Sequence, residues 1–297
     1  MKKTRLTLAL PWYDGPDATT TAFNLNVQHY LAALSERSVW RAKIGHDRFM
    51  DILPTLPALD ATGGDGGLAE PTEDDWKRLG VLEIMICDYS RTSLVGKARE
   101  SICETTLAWE KGVDEGYILF WDADMRFEYS AFLRLWRHHK PVVAALAFTA
   151  RIPVHPVIYA FERKYDPVTQ LPKFDTSVPV LNYPKNKLIT DADIGGEMAF
   201  GAGVMLIDTK VFKEVPQPWF TSTGCGEDWF FCYRLAEHGI PRYVDTGVKT
   251  AHLIWTPRWA TEQFYEMERE QQKEGYAAAF GELVDRRPPQ QAVEVAA

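Results

Sequence analysis

The residues best placed to do chemistry are two aspartates set two apart, Asp122 and Asp124, directly behind the apolar run Tyr117-Ile-Leu-Phe-Trp121. With 20 aspartates in 297 residues such a spacing is expected by chance, and a second one, Asp191-Ala-Asp193, is present. Context separates the two. Asp122 and Asp124 should emerge at the carboxyl end of a buried strand, where open parallel sheets bind their ligands. Residues two apart in extended chain point the same way, so both carboxylates can face one cation. Hard oxygen ligands suit Mg²⁺ or Mn²⁺ that completes its shell with phosphate oxygens and water. Asp191 and Asp193 lack that setting and read as structural turn residues.

A second constellation is Gly224-Cys-Gly-Glu-Asp228. Its glycines let a substrate approach closely, and its two carboxylates fall in the first turn of a helix, whose positive end should keep them ionised. One of them can act as general base toward an acceptor hydroxyl. His252 closes a strand-like run that starts at Val244, and it gains meaning as a third ligand to the same cation. Arg91, Lys97 and Arg99 surround the opening of a helix after Asp88, where positive charge opposes the dipole unless an anion such as a nucleotide diphosphate is bound. Trp12 and Tyr13 in an early loop can stack on a base.

These residues need a scaffold. Leu6–Leu10, Val81–Ile86, Tyr117–Trp121 and Val142–Phe148 read as buried strands. Between them, apolar spacing predicts helices over Thr19–Leu34, from about Thr92 (Leu94, Ala98, Ile102, Thr105 and Trp109 on one face, Gly112 as the stop) and over Phe132–His139. Strand–helix alternation argues for an α/β fold with a mostly parallel sheet covered on both faces. From Trp40 to Lys77 the pattern is poor. Arg151–Lys187 is a Pro-rich, partly basic excursion that reads as a functional flap. Phe200–Asp208 is apolar, broken by Gly201 and Gly203; a helix follows over about Asp228–His238, and 261–283 is helical but charged.

Composition narrows the classes. At 46% hydrophobic, 25% charged and a formal net charge of −8, the chain has the balance of a soluble globular protein and argues against bulk electrostatic capture of nucleic acid. Its longest apolar run, Val142–Phe148, is too short to span a bilayer, and the basic N-terminus lacks the apolar stretch of a signal peptide. Cys87, Cys103, Cys225 and Cys232 have no C-x-x-C spacing and read as packing residues in a reducing cytoplasm.

The combination resembles the GT-A glycosyltransferases, especially compact phage-encoded members related to the large inverting family. The resemblance covers most of residues 5–255. It rests on Pro11-Trp-Tyr-Asp14, Ser93-Leu-Val-Gly-Lys-Ala-Arg99, Tyr117–Asp124, Phe200–Ile207, Gly226-Glu-Asp228, Asp245 and His252, taken in that order and spacing. It implies one GT-A domain over 1–260, with a nucleotide-binding half to about 125 and an acceptor half over 126–260, then a C-terminal helix and tail over 261–297. It also implies a UDP-sugar donor with Mn²⁺ or Mg²⁺, no membrane, and a cytoplasmic setting (the host cytoplasm if phage-encoded). By resemblance, Pro11, Trp12, Tyr13, Asp14, Asp88, Arg91, Lys97 and Arg99 hold the nucleotide, and Asp122 meets ribose or metal. Asp124 and His252 bind the metal, Gly201, Ala202 and Gly203 line the sugar and acceptor pocket, Asp228 is the base, and Glu227 sits on sugar hydroxyls. Inversion is the implied outcome, and a hydroxymethylated pyrimidine in phage DNA, a glycan or a protein hydroxyl are the candidate acceptors. The Lys-rich segment at 164–187 offers itself to a phosphate backbone. Two other classes compete. A haloacid-dehalogenase-like phosphatase also places Asp-x-Asp after a strand, but Met125 stands where Thr or Val is usual. A non-catalytic glycan-binding module would draw on the 12% aromatic content.

Overall fold

Successive side chains of the central strands enter opposite cores. Leu6, Leu8 and Leu10 of β1 (Lys3–Pro11) face one way and Ala9 the other; in β3 (Glu115–Trp121), Tyr117, Leu119 and Trp121 oppose Ile118 and Phe120. A strand apolar on both faces must be covered on both faces, and it is. One side carries α1 (30–39), α2 (Glu73–Leu79) and α4 (Ala131–Arg137); the other carries α3 (Val95–Ala108), the short α5 (Asp191–Ile194) and α6 (Val211–Glu214), and α7 (Glu227–Glu237). The computed structural model describes residues 2–11, 27–28, 30–39, 71–89, 94–128, 130–169, 172–173, 177–222, 226–255 and 258–271.

The main sheet has seven strands in the order β10-β13-β5-β12-β3-β1-β2, adding β2 (Val81–Tyr89), β5 (Val142–Ala145), β10 (Leu188–Ile189), β12 (Val204–Asp208) and β13 (Arg242–Asp245). β1, β2, β3, β5 and β13 share one direction; β12 is antiparallel to β3 and β5, and β10 to β13. The expected mostly parallel, doubly covered α/β sheet is therefore present. Among the described residues no helix is long and apolar enough to cross a membrane.

Three expectations need correction. The stretch from Trp40 to Lys77 includes the start of α2, which a hydrophobic-period search misses because Trp76 and Leu79 are its only apolar residues; its signature is the capping box of Thr72 and Asp75. In α3 the buried face is Ala98, Arg99, Ile102, Cys103 and Thr106, while Leu94 (47% exposed) and Trp109 (37%) lie outside it. The helix is turned from the expected phase because it buries an arginine. The 151–187 excursion is not a bare flap. Within it β6 (Ile158–Phe161) pairs with β9 (Val178–Pro179) and β11 (Glu197–Phe200), and β7 (Lys164–Tyr165) pairs with β8 (Pro172–Lys173). Phe200–Asp208 is consequently two strands in two sheets, with Gly201-Ala-Gly203 as the crossing.

The C-terminal helix α8 (Glu262–Gln271) belongs to the same body: Tyr265 is buried against Phe148, donates to the Leu181 carbonyl at 2.9 Å, and Glu268 accepts from the Val154 amide at 3.2 Å. Asp191 and Asp193 are structural, as read: Asp193 caps Thr190 and Asp191 pairs with buried Arg242. Cys87, Cys103 and Cys232 are buried and form no disulfide. Asp245 ends β13 and binds His138 and the Gly247 amide. Replacing Thr72 by Ala should lower the urea-unfolding free energy by about 1 kcal/mol, with Thr72→Ser close to the parent; equal loss in both variants would show that the cap hydroxyl is not what holds α2.

Candidate active site

The site grows from the carboxyl end of β3. After Trp121 the chain turns through Asp122-Ala-Asp124, anchored by the Asp122 amide on the Gly203 carbonyl (2.9 Å), and re-enters extended structure as β4 (Met125–Phe127). β4 pairs with β14 (Thr250–Trp255), which also pairs with β15 (Arg258–Thr261), in a register that sets His252 opposite Met125; the Leu253 amide donates to the Asp124 carbonyl at 2.9 Å. That register brings His252 to Asp124 across 128 residues of sequence. His252 therefore lies third in its own strand, rather than closing one that begins at Val244, because the chain turns at Thr246-Gly247.

The His252 ring is held at both nitrogens. Nδ1 is 2.7 Å from the Phe148 carbonyl oxygen, which can only accept, so Nδ1 carries a proton. Nε2 is 3.1 Å from Asp124 Oδ2, which as a carboxylate also only accepts. A neutral ring would put a lone pair against a carboxylate, so this contact requires a positive charge between them. A proton supplies it here: burial works against His252 charging, but Asp124 outweighs burial and raises its pKa, and His252 in turn holds Asp124 low despite burial. A divalent cation meets the same requirement with the same atoms. Asp124 is about half-exposed, so the pair is open to a ligand.

Asp122 is engaged differently. Arg99, 2% exposed, donates from Nη2 to Asp122 Oδ1 (2.6 Å), from Nε to Glu227 Oε1 (3.3 Å) and from Nη1 to the Ala202 carbonyl (3.4 Å). Its planar fork suits three acceptors in different directions. Gly96 permits the arrangement: a Cβ there would stand 3.2 Å from Glu227 Cβ and from the Phe220 carbonyl oxygen, so a side chain would hold the starts of α3 and α7 apart. Burial opposes the charge of Arg99, but Asp122, Glu227 and Asp228 overcome it and keep the guanidinium firmly protonated. Arg99 is thus enclosed among carboxylates rather than presented to a phosphate.

Asp228 stands at the start of α7, its Oδ1 accepting from the Trp229 amide at 2.8 Å. Gly226 leaves room for this position of the carboxylate: a Cβ there would lie 2.5 Å from that oxygen, so the Asp228 side chain would have to shift. Burial, then the charge of Glu227, push the Asp228 pKa up to about 7, although Arg99 and the Trp229 amide pull it down. The helix end was expected to keep this carboxyl ionised; burial beside a second acid is the stronger effect. Asp122 rises to about 6, again chiefly through burial, moderated by Arg99 and reinforced by Asp124 and Glu227. Two carboxyls that titrate near neutrality mark this cluster as a functional-site candidate.

Of the remaining expected residues, Gly201, Ala202 and Gly203 border the cluster: a Cβ on Gly201 would lie 3.7 Å from Asp228 Oδ2 and one on Gly203 would lie 3.2 Å from Met125 Cγ. Pro11 and Asp88 fall at the carboxyl ends of β1 and β2, with β1 next to β3 and β2 one strand further out. Lys97 is exposed on α3. Trp12, Tyr13, Asp14 and Arg91 lie outside the described residues. Among the described residues no group of three or more His, Cys, Asp or Glu is arranged to hold a metal ion; Asp124 and His252 form a pair, with Asp122 turned to Arg99. The role of the Phe148 carbonyl is invisible to sequence reasoning, since a backbone acceptor leaves no residue type to read.

No protein-family model matches the sequence, and no curated protein is a match. Among solved structures the chain is similar to A197 from STIV, at 13% identity over 88% of this chain and 91% of that one, with a TM-score of 0.43. A likeness this loose carries neither fold nor function.

The raised Asp228 pKa has a stability consequence. An acid bound more tightly to its proton when folded favours the native state at low pH, and that advantage disappears as pH rises through its folded pKa. Asp228→Asn should therefore stabilise the protein at pH 8 by up to about 4 kcal/mol, the linkage limit for a carboxyl moved from 3.8 to about 7, and far less at pH 5. Thermal unfolding of both proteins at the two pH values checks this; an equal difference at both would contradict it.

Proposed function

We propose that the protein is a glycosyltransferase of the GT-A type that uses a divalent cation to move a sugar from a UDP-sugar to an acceptor hydroxyl, with inversion. The observation that carries this reading is the union, at one sheet edge, of two acidic groups with separate tasks. Asp124 and His252 form an open pair that demands a cation. Asp228 forms a base that titrates near neutrality, and Arg99 ties the two through Asp122 and Glu227.

The residues present fit a hard divalent ion: one carboxylate and one imidazole whose other nitrogen is fixed by a carbonyl. Asp124 and His252 would hold it, and it would supply Lewis-acid stabilisation of the charge that develops on the leaving diphosphate. The chain's own residues do the rest. The edge formed by Pro11, Asp88 and the end of β3 gives the nucleotide a seat at the carboxyl ends of parallel strands. Asp228 Oδ1 is engaged by the Trp229 amide, so Oδ2, on the Gly201 side, is free to take the acceptor proton. As the bond from the anomeric carbon to the diphosphate oxygen breaks, the acceptor oxygen forms the new one. Its proton passes to Asp228 and UDP leaves with the electron pair. A base on the far side of the sugar from the leaving group inverts the anomeric centre. Glu227, held by Arg99, is placed to meet sugar hydroxyls.

Two measurements test this. Asp124→Ala should reduce Mn²⁺-dependent UDP release from UDP-sugars at least a hundredfold while changing the unfolding free energy by less than about 1 kcal/mol, since the side chain is half-exposed; transfer within tenfold of the parent would contradict the reading. The transfer rate should rise with pH to a plateau with an inflection near 7 as Asp228 ionises, and Asp228→Asn should lose about 10²- to 10⁴-fold in kcat while still binding donor. A rate that falls through that range would assign the proton-accepting role elsewhere.

A further inference from the structure

Aromatic side chains lie near Asp228. Tyr159 of β6 packs against Trp229 with ring centroids 4.3 Å apart and planes at 58°, and the His155 ring meets Tyr159 edge-on at 5.8 Å and 86°. The β6–β11 register opposes Tyr159 to Ala199 and Ile158 to Phe200, one residue short of Gly201, and Val157 lies where a Gly201 Cβ would come within 3.1 Å of it. All three rings are partly exposed. Asp228 is close enough for its charge to add to burial in pushing the Tyr159 hydroxyl up to about 12.

We propose that Tyr159, Trp229 and His155 form the acceptor platform of this site, and that the acceptor they select is a neutral saccharide. This rests on the transferase reading of Asp228 and deepens it. The rings meet at steep angles and form a corner, not a parallel slot. A corner suits a pyranose, which offers C–H groups on its faces and its rim, better than a flat base that stacks on one open plane. Charge points the same way. Among the described residues the cations set against Asp122, Asp124, Glu227 and Asp228 are Arg99 and His252, each already engaged by a carboxylate, which leaves none beside the base for a phosphate backbone. The lysines of the 164–187 segment are paired with acids: Lys164 with Glu162 (3.2 Å), Lys173 with Asp166 (3.4 Å), Lys187 with Asp193 (2.8 Å) and Lys185 with Glu266. A neutral ring bearing hydroxyls meets neither obstacle, and its apolar face next to the base sets one hydroxyl toward Oδ2.

Saturation-transfer NMR with methyl glycosides of the neutral hexoses, on the full chain with UDP and Mn²⁺, tests the platform without turnover. A single-stranded oligonucleotide containing 5-hydroxymethylcytosine is the competing probe. The expected result is transfer to the ring C–H protons of at least one glycoside. Its Kd should weaken at least tenfold in Tyr159→Leu, which keeps the packed volume, and stay within threefold in Tyr159→Phe, which keeps the ring. No transfer to any glycoside, unchanged binding by Tyr159→Leu, or tighter binding of the oligonucleotide would each overturn the proposal. Glycoside binding without UDP release from any UDP-sugar would sink the transferase reading and leave the platform standing; release without glycoside binding would do the reverse.

Discussion

A positive charge sealed inside a protein must be matched, and the matching of Arg99 organises this molecule. With only 2% of its surface exposed, the guanidinium is desolvated, and its three acceptors come from three places: the end of β3, the start of α7 and the crossing between β11 and β12. Removing one partner of such a group leaves another buried and uncompensated, which is why these segments are bound to one geometry. The guanidinium also stands over the Phe120 ring at 5.0 Å, so even its face is used. The acids pay for their place by titrating close to neutrality, and a carboxyl with that property is what proton transfer at ordinary pH needs.

The second limb is organised by backbone. Phe148 leaves β5 and bridges Pro156, and its carbonyl fixes the His252 ring; Tyr265 of α8 packs on the Phe148 ring at 5.7 Å, while Glu268 holds the Val154 amide of the same loop. The chain from 148 to 157 thus runs from the carbonyl that fixes His252 to the valine beside Gly201. α8 braces this loop through Tyr265 on Phe148 and Glu268 on the Val154 amide.

Much of this was legible in the sequence. The strands were, because a parallel strand covered on both faces is apolar without interruption, as Tyr117–Trp121 shows. Asp122, Asp124, Glu227, Asp228 and His252 were found from residue type and placement, and the structure brings them into one neighbourhood. What could not be read was which acid would face which partner. Arg99 looks from sequence like an exposed helix-start arginine that awaits an anion. Only the close approach of α7 at Gly96 shows that its anions are already present as side chains. The pairing of β4 with β14 was equally hidden, since a three-residue strand has no period to detect, yet its register delivers His252 to Asp124. The lysines at 164–187 each stand within ion-pair distance of an acid, and for Lys185 that acid, Glu266, is remote in sequence.

The central claim is that the Asp124–His252 pair is completed by a divalent ion. Crystals grown with UDP and Mn²⁺, with data collected at the manganese absorption edge, address it directly. The account predicts an anomalous peak bonded to the Asp124 carboxylate and His252 Nε2, with Nδ1 still on the Phe148 carbonyl. UDP bound with no manganese there, and Nε2 still in direct contact with Asp124, would contradict it.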